Sequence, residues 1–239
     1  LLVGCSSGTA SSVPVSASSA AESTVSSVEE TASSAVDENE AAAAQLLNDL
    51  TGSYQELWPV ILADEYKQTW LDDCTALVGE DNAEAAFEKL SSMVTGDVYG
   101  EDAVKAYANG GGAYFCGFTN DLATLTFDGE TSTISGTDKD GNELFSHPYH
   151  YIGMEPVRGL YEFESDDADS GEFTYFFLAP DTSAETYHIE FRYGSDADAL
   201  SQYDAGDYAY WLASGISTDC DQTMIDNCIE LFCTENLAG

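Results

Sequence analysis

The chain has 239 residues, 44 acidic and 6 basic, for a formal net charge of −38 at pH 7. Such a surface repels nucleic acid and anionic lipid headgroups, so the protein face binds neither; the charge reads first as a solubility or salt-adapted surface and second as a field that concentrates cations. The 3 Trp, 14 Tyr and 11 Phe all follow Gly52, which confines core-building side chains to the part of the chain beyond it. At the start, Leu2-Val3-Gly4-Cys5 followed by Ser6 reads as the end of a bacterial lipoprotein signal cut just before the cysteine. Residues 1–4 are then residual signal, and Cys5 carries the lipid that anchors the protein to a membrane outside the cytoplasm. Residues 5–36 are almost wholly Ser, Ala, Thr, Val and Glu, with one proline at Pro14. Too little large apolar surface is present there to offset the entropy of ordering, so the segment is expected to be a flexible tether. No stretch approaches the ~18 consecutive apolar residues of a membrane-spanning helix.

Residues 37–239 form one domain, of a size that builds a single core. Asp37 to Leu50 is rich in Ala and Leu with acids in its first turn, a helix that Gly52 ends. Tyr54, Leu57, Trp58 and Ile61 recur at helical spacing around Pro59, Ala83 to Met93 carries Phe87 and Leu90, and Asp102 to Ala108 is a short further helix. The period then switches to two. Strands are predicted over Ala113–Phe118, Leu122–Phe127, Ser132–Gly136, Glu143–Tyr151, Leu160–Glu164, Phe173–Leu178 and Glu185–Tyr193, with turn dipeptides at Asp128-Gly129, Asp140-Gly141 and Ser170-Gly171. Helical patterns close the chain at Ala199–Trp211 and Asp219–Phe232. The fold class is therefore mainly β with flanking helices: an antiparallel meander closed into a small calyx-like barrel, with helices at its N- and C-terminal ends.

Of the six cysteines, Cys74, Cys116, Cys220, Cys228 and Cys233 remain once Cys5 is lipidated. The odd set leaves at least one thiol unpaired, and a disulfide from the C-terminal trio to Cys74 or Cys116 is expected to tie the chain end to the domain. No Cys-x-x-Cys pair suggests a cysteine metal site. There is no Gly-x-Ser-x-Gly elbow and no His-Glu-x-x-His helix, and Gly110-Gly111-Gly112 lacks the Lys-Ser/Thr of a phosphate loop, so the chain reads as a binding protein and not an enzyme.

The order of short motifs resembles the ZinT (YodA) family of periplasmic zinc-binding proteins, which also occurs as a domain of streptococcal zinc-uptake lipoproteins. The likeness runs through Leu47-Asn48-Asp49-Leu50-Thr51-Gly52-Ser53-Tyr54-Gln55-Glu56-Leu57-Trp58-Pro59, Val104-Lys105-Ala106-Tyr107, Arg158-Gly159-Leu160-Tyr161-Glu162-Phe163-Glu164, and Glu185-Thr186-Tyr187-His188-Ile189 with the Tyr193-Gly194-Ser195-Asp196 turn. It implies a calycin-type barrel holding zinc near its mouth through histidines, two in a His-x-His strand and one in the turn before it. It further implies a divalent metal as ligand and a metal ABC transporter as a partner.

Here the pattern is depleted. His188 keeps one motif position, Thr186 occupies its partner, and the preceding turn has no histidine. Asp181 is the substitute ligand in that turn, Glu190 shares the strand face of His188, and His147 or His150 is the third candidate. His147 and His150 lie three apart around Pro148, on opposite faces of an extended strand, and one of them would have to reach across the barrel. Such an oxygen-rich site would bind zinc weakly and tolerate manganese or calcium. The alternative is a module that has lost metal and binds a small organic ligand or surface partner at an aromatic-lined barrel mouth. Two acidic loops, Asp138 to Glu143 and Asp166 to Asp169, read as solvated turns rather than calcium sites.

Overall fold

A computed structural model describes residues 38–180 and 184–238. Cys5, the tether and Asp181 lie outside the described residues. Helix α1 (residues 38–49) precedes strand β1 (Gly52–Glu56) and the short α2 (Leu57–Ile61), after which α3 (Lys67–Val78), α4 (Glu80–Val94) and α5 (Glu101–Ala108) form a helical run. Then come β2 (Thr124–Asp128), β3 (Thr133–Thr137), β4 (Glu143–Met154), β5 (Tyr161–Ser165), β6 (Tyr175–Leu178) and β7 (His188–Gly194). Helix α6 (Ala197–Leu200), β8 (Ala213–Ser217) and α7 (Gln222–Leu237) complete the chain. The eight strands close into an antiparallel barrel in sequence order, β8 pairing back onto β1 through Glu56 opposite Gly215. Closure leaves no strand edge exposed along the sheet.

Alternation along each strand fills the barrel. Tyr54, Phe127, Ile134, Phe145, Tyr149, Phe163, Phe176, Phe191 and Tyr193 are all buried in one cluster, with Ala43, Leu46, Leu47 and Leu50 of α1 packed into it. The interior is lined by a packed aromatic core. Gly129 makes room for α1: a Cβ there would lie 2.4 Å from the Cα of Asn48. A second cluster sits on the outer face of the β-wall, where Ile216 of β8 meets Leu57, Trp58 and Ile61 of α2, Trp70 and Cys74 of α3, Leu90 of α4 and Ile229 and Cys233 of α7.

Several expectations are corrected. The 54–61 stretch is not one helix; Tyr54 belongs to β1 and points into the barrel, and only Leu57 onward is helical. Residues 113–118 form no strand, only isolated bridges from Phe115 to Thr95 and Trp211. The Ala199–Trp211 pattern is helical only to Leu200, the remainder being turns in which Arg192 binds the carbonyls of Leu200, Gln202 and Tyr208. Strand β8 escapes a reading by periodicity because Ala213-Ser214-Gly215-Ile216-Ser217 is mostly small. Small residues are what closure needs there: a Cβ on Gly215 would come within 3.1 Å of Ile189 and 3.3 Å of the Gln55 carbonyl. The expected disulfide is not formed, all five described cysteines being free thiols; the nearest approach is Cys74 Sγ to Cys233 Sγ, 3.9 Å.

Candidate functional site

Strand β7 sorts its side chains by face. Ile189, Phe191 and Tyr193 enter the barrel core, which sends His188, Glu190 and Arg192 to the outside. His188 stands opposite Ile216 in the β7–β8 register, at the margin of the helical layer. There it lines a recess of ≈ 20 Å³ with Glu190, Glu235, Trp58, Cys228 and Phe232. That volume holds about one water-sized sphere, so the recess suits a single ion or water and no organic molecule. Thr186, the residue at the missing histidine's position, places its Oγ1 2.6 Å from His188 Nδ1. Cys228 also reaches this corner, its Sγ 3.5 Å from the Thr186 carbonyl, but burial pushes its thiol up to about 12, so at neutral pH it is not a thiolate donor.

The other two histidines are not brought to His188. Both lie on β4, from which β5 and β6 separate β7. His147 shares the inner side with Phe145, its ring 5.9 Å from that ring, and its Nδ1 meets Asp167 Oδ2 at 2.8 Å. His150, on the opposite face and exposed, meets Asp166 Oδ1 at 2.7 Å. Asp138 is occupied by its own turn, its carboxylate accepting from the Asp140 and Asn142 amides and from Asn142 Nδ2, bonds that hold it below the usual carboxylate range. Among the described residues no group of three or more His, Cys, Asp or Glu side chains is gathered so as to hold a metal ion. The multi-histidine zinc site that the family resemblance implies is therefore not assembled by them.

Sequence reasoning missed a large opening. A cleft of ≈ 980 Å³ runs outside the barrel, between the 155–160 turn and the 201–212 segment, lined by Tyr114, Arg158, Pro180, Tyr203, Tyr210 and the outer side of Glu190. The fully buried carboxylate of Glu155 accepts the amides of Val157 and Arg158 at 2.7 Å each and the Tyr203 hydroxyl at 3.3 Å, which fixes the turn that carries Arg158. Arg158 then lies over the Tyr203 ring, 4.3 Å from its centroid, and donates from Nη2 to the Tyr114 hydroxyl at 3.1 Å. Arg192 meets the same ring at 4.4 Å. The only sequence signal is that these are the chain's two arginines.

Comparison with protein-family models gives no match, and neither does comparison with curated proteins. In structure the chain is similar to the Zn(II)-bound ZinT-like domain of Streptococcus pneumoniae AdcA, at 14% identity and a TM-score of 0.47 over 75% of this chain and 87% of that one. It is also similar to Zn(II)-bound AdcA of the same organism, at 12% identity and a TM-score of 0.45 over 77% of this chain and 34% of that one, of which it spans about a third. No residue's role is taken from either likeness. The closed eight-stranded antiparallel barrel with helices at both ends is the mainly β, barrel fold class expected from the sequence.

Proposed function

We propose that this domain is a non-enzymatic binding module for a divalent cation, held outside the cytoplasm by a lipid on Cys5, with a weak, oxygen-rich site centred on His188. The observation that supports the reading is that His188, Glu190 and Glu235 border one ion-sized recess; they are not gathered there as a ligand set, so the proposal needs a further donor to complete the site. With Nδ1 engaged by Thr186, ligation falls to Nε2. Asp181, which precedes the strand in sequence and lies outside the described residues, is the proposed additional donor. One nitrogen with several oxygens selects poorly among metals, so zinc is the first candidate and manganese and calcium follow. A net charge of −38 raises the local concentration of any cation. Passage of the ion to a metal ABC transporter is part of the same proposal.

Calorimetric titration of zinc, manganese and calcium into wild type and His188→Ala tests it. Wild type should bind at least zinc, in the micromolar range or weaker, and His188→Ala should lose at least tenfold. Because the imidazole must be neutral to ligate, affinity should also fall as pH drops through the ordinary histidine range near ~6.5. Absence of binding of all three ions, or equal binding by the variant, contradicts the site.

A further inference from the structure

The chain's two arginines converge on the ring of Tyr203 although they are 34 positions apart in sequence, and in a molecule with 44 acids neither forms an ion pair with a carboxylate among the described residues. Their roles differ. Arg192 is fully buried and is spent on backbone carbonyls, tying the 200–208 segment to β7 and so building one wall of the cleft. Arg158 is exposed on the cleft side yet held in place by the Glu155-capped turn, the Tyr203 ring and the Tyr114 hydroxyl. A guanidinium has five N–H donors in a planar fork that matches a carboxylate, and the fork of Arg158 uses one side-chain contact, to Tyr114. Because its position is set before any ligand arrives, little further ordering opposes binding.

The rest of the cleft narrows the ligand. Its volume of ≈ 980 Å³ lies at the upper end of small-molecule pockets, and its Tyr114, Tyr203, Tyr210 and Pro180 offer apolar faces. Tyr210 is held in the left-handed region at φ 56°, a strained conformation for a residue of this size, with its ring stacked 3.7 Å from Tyr107. Glu190 and Asp204 also line the cleft, so cationic and anionic groups face the same space. A net anion would be repelled by the whole molecule, whereas a zwitterion carries no net charge against the field.

We infer that this cleft binds a small zwitterion with an apolar side chain, an α-amino acid or short peptide, with its carboxylate on Arg158 and its ammonium group toward Glu190 and Asp204. This site shares Glu190 with the His188 recess but does not rest on the cation reading, so it is tested on chelator-treated full-length protein, with no metal ion on that carboxylate. Calorimetry with L-phenylalanine and with the tripeptide Ala-Ala-Phe asks which source of the shared chemistry fits. At least one should bind, its C-terminal amide at least tenfold more weakly and its N-acetyl form several-fold more weakly. Arg158→Gln and Arg158→Lys should each lose at least tenfold, the lysine because it keeps the charge but not the fork, with thermal unfolding close to wild type since the side chain is exposed. Failure of wild type to bind either probe at millimolar concentration overturns the inference. So does an amide or acetyl form that binds as well as the parent, or an Arg158→Gln protein that binds like wild type.

Discussion

Asp73 of α3 lies against Glu230 and Asp226 of α7, and burial first, then those like charges, raises its carboxyl above the usual range. Its Oδ2 is buried without a hydrogen-bond partner among the described residues. A carboxyl whose folded value exceeds its unfolded one stabilises the fold below the unfolded value, and that stability is lost as pH rises through the folded value. Asp73→Asn is therefore expected to raise the melting temperature at pH 7 and to lose that advantage below pH ~4. The gain should be about 2–4 °C if it recovers about 1 kcal/mol, a figure kept small because the residue is only part-buried and solvent screens its neighbours' charges. Thermal unfolding at the two pH values checks this; a variant that melts lower than wild type at pH 7 contradicts it. At the proposed cation site, Thr186→His puts a second imidazole beside His188, in the turn that leads into β7, and should tighten zinc binding at least tenfold by calorimetry. Thr186 is buried, so the larger ring should cost roughly 1–3 kcal/mol of stability. His188 and the loss at Thr186 are legible in the sequence because the two are only two positions apart, a local relation that survives even though Thr186 lies in the turn before β7. The arginine–tyrosine meeting is not, since residues 158, 192 and 203 are joined only by barrel closure and by the buried hydrogen bonds of Arg192.

Helix α7 is the element that links the barrel to the helical layer. Ile225, Cys228, Ile229 and Cys233 form its buried side, and Phe232 packs edge-on against Trp58 and at 6.0 Å against Trp70. Cys74 and Cys233 are the one pair of described sulfurs in contact, with both thiols held above their ordinary value chiefly by burial. Incubation with oxidised glutathione should join them, two thiols being oxidised as the glutathione disulfide is reduced, so that the unreduced, denatured protein shows two fewer free thiols than the reduced one. The bridge would stabilise by roughly 3–5 kcal/mol in the chain-entropy view. An unchanged thiol count, or the same loss in Cys233→Ser, contradicts the pairing. Among the elements, β2 to β7 and α4, α5 and α7 can be read from periodicity and turn residues to within a few positions. Strands β1 and β8 cannot: Tyr54 falls in phase with the α2 positions that follow it, and the small residues of β8 are selected by close strand approach and not by β propensity. These two strands close the barrel, so the local signal is weakest at the seam.

At the scale of the whole molecule, the outer face of β7 is the proposed functional surface, Glu190 lining both the ion-sized recess and the large cleft. The proposal places ligand binding on the strand's exterior, whereas the family resemblance implies the barrel mouth. It also explains why the strand carries polar groups at 188, 190 and 192 alternating with Ile189, Phe191 and Tyr193. The dense negative charge favours a cation in the recess and disfavours a net anion in the cleft, so the two openings differ in charge preference as well as in size. The central claim is the location of the cation, and anomalous diffraction at the zinc absorption edge from zinc-soaked crystals locates it directly. The account predicts a peak about 2.0–2.1 Å from His188 Nε2, on the side of Glu190 and Glu235. A zinc peak found only elsewhere, such as at His147 and Asp167 or at His150 and Asp166, or none at all under saturating zinc, would contradict it.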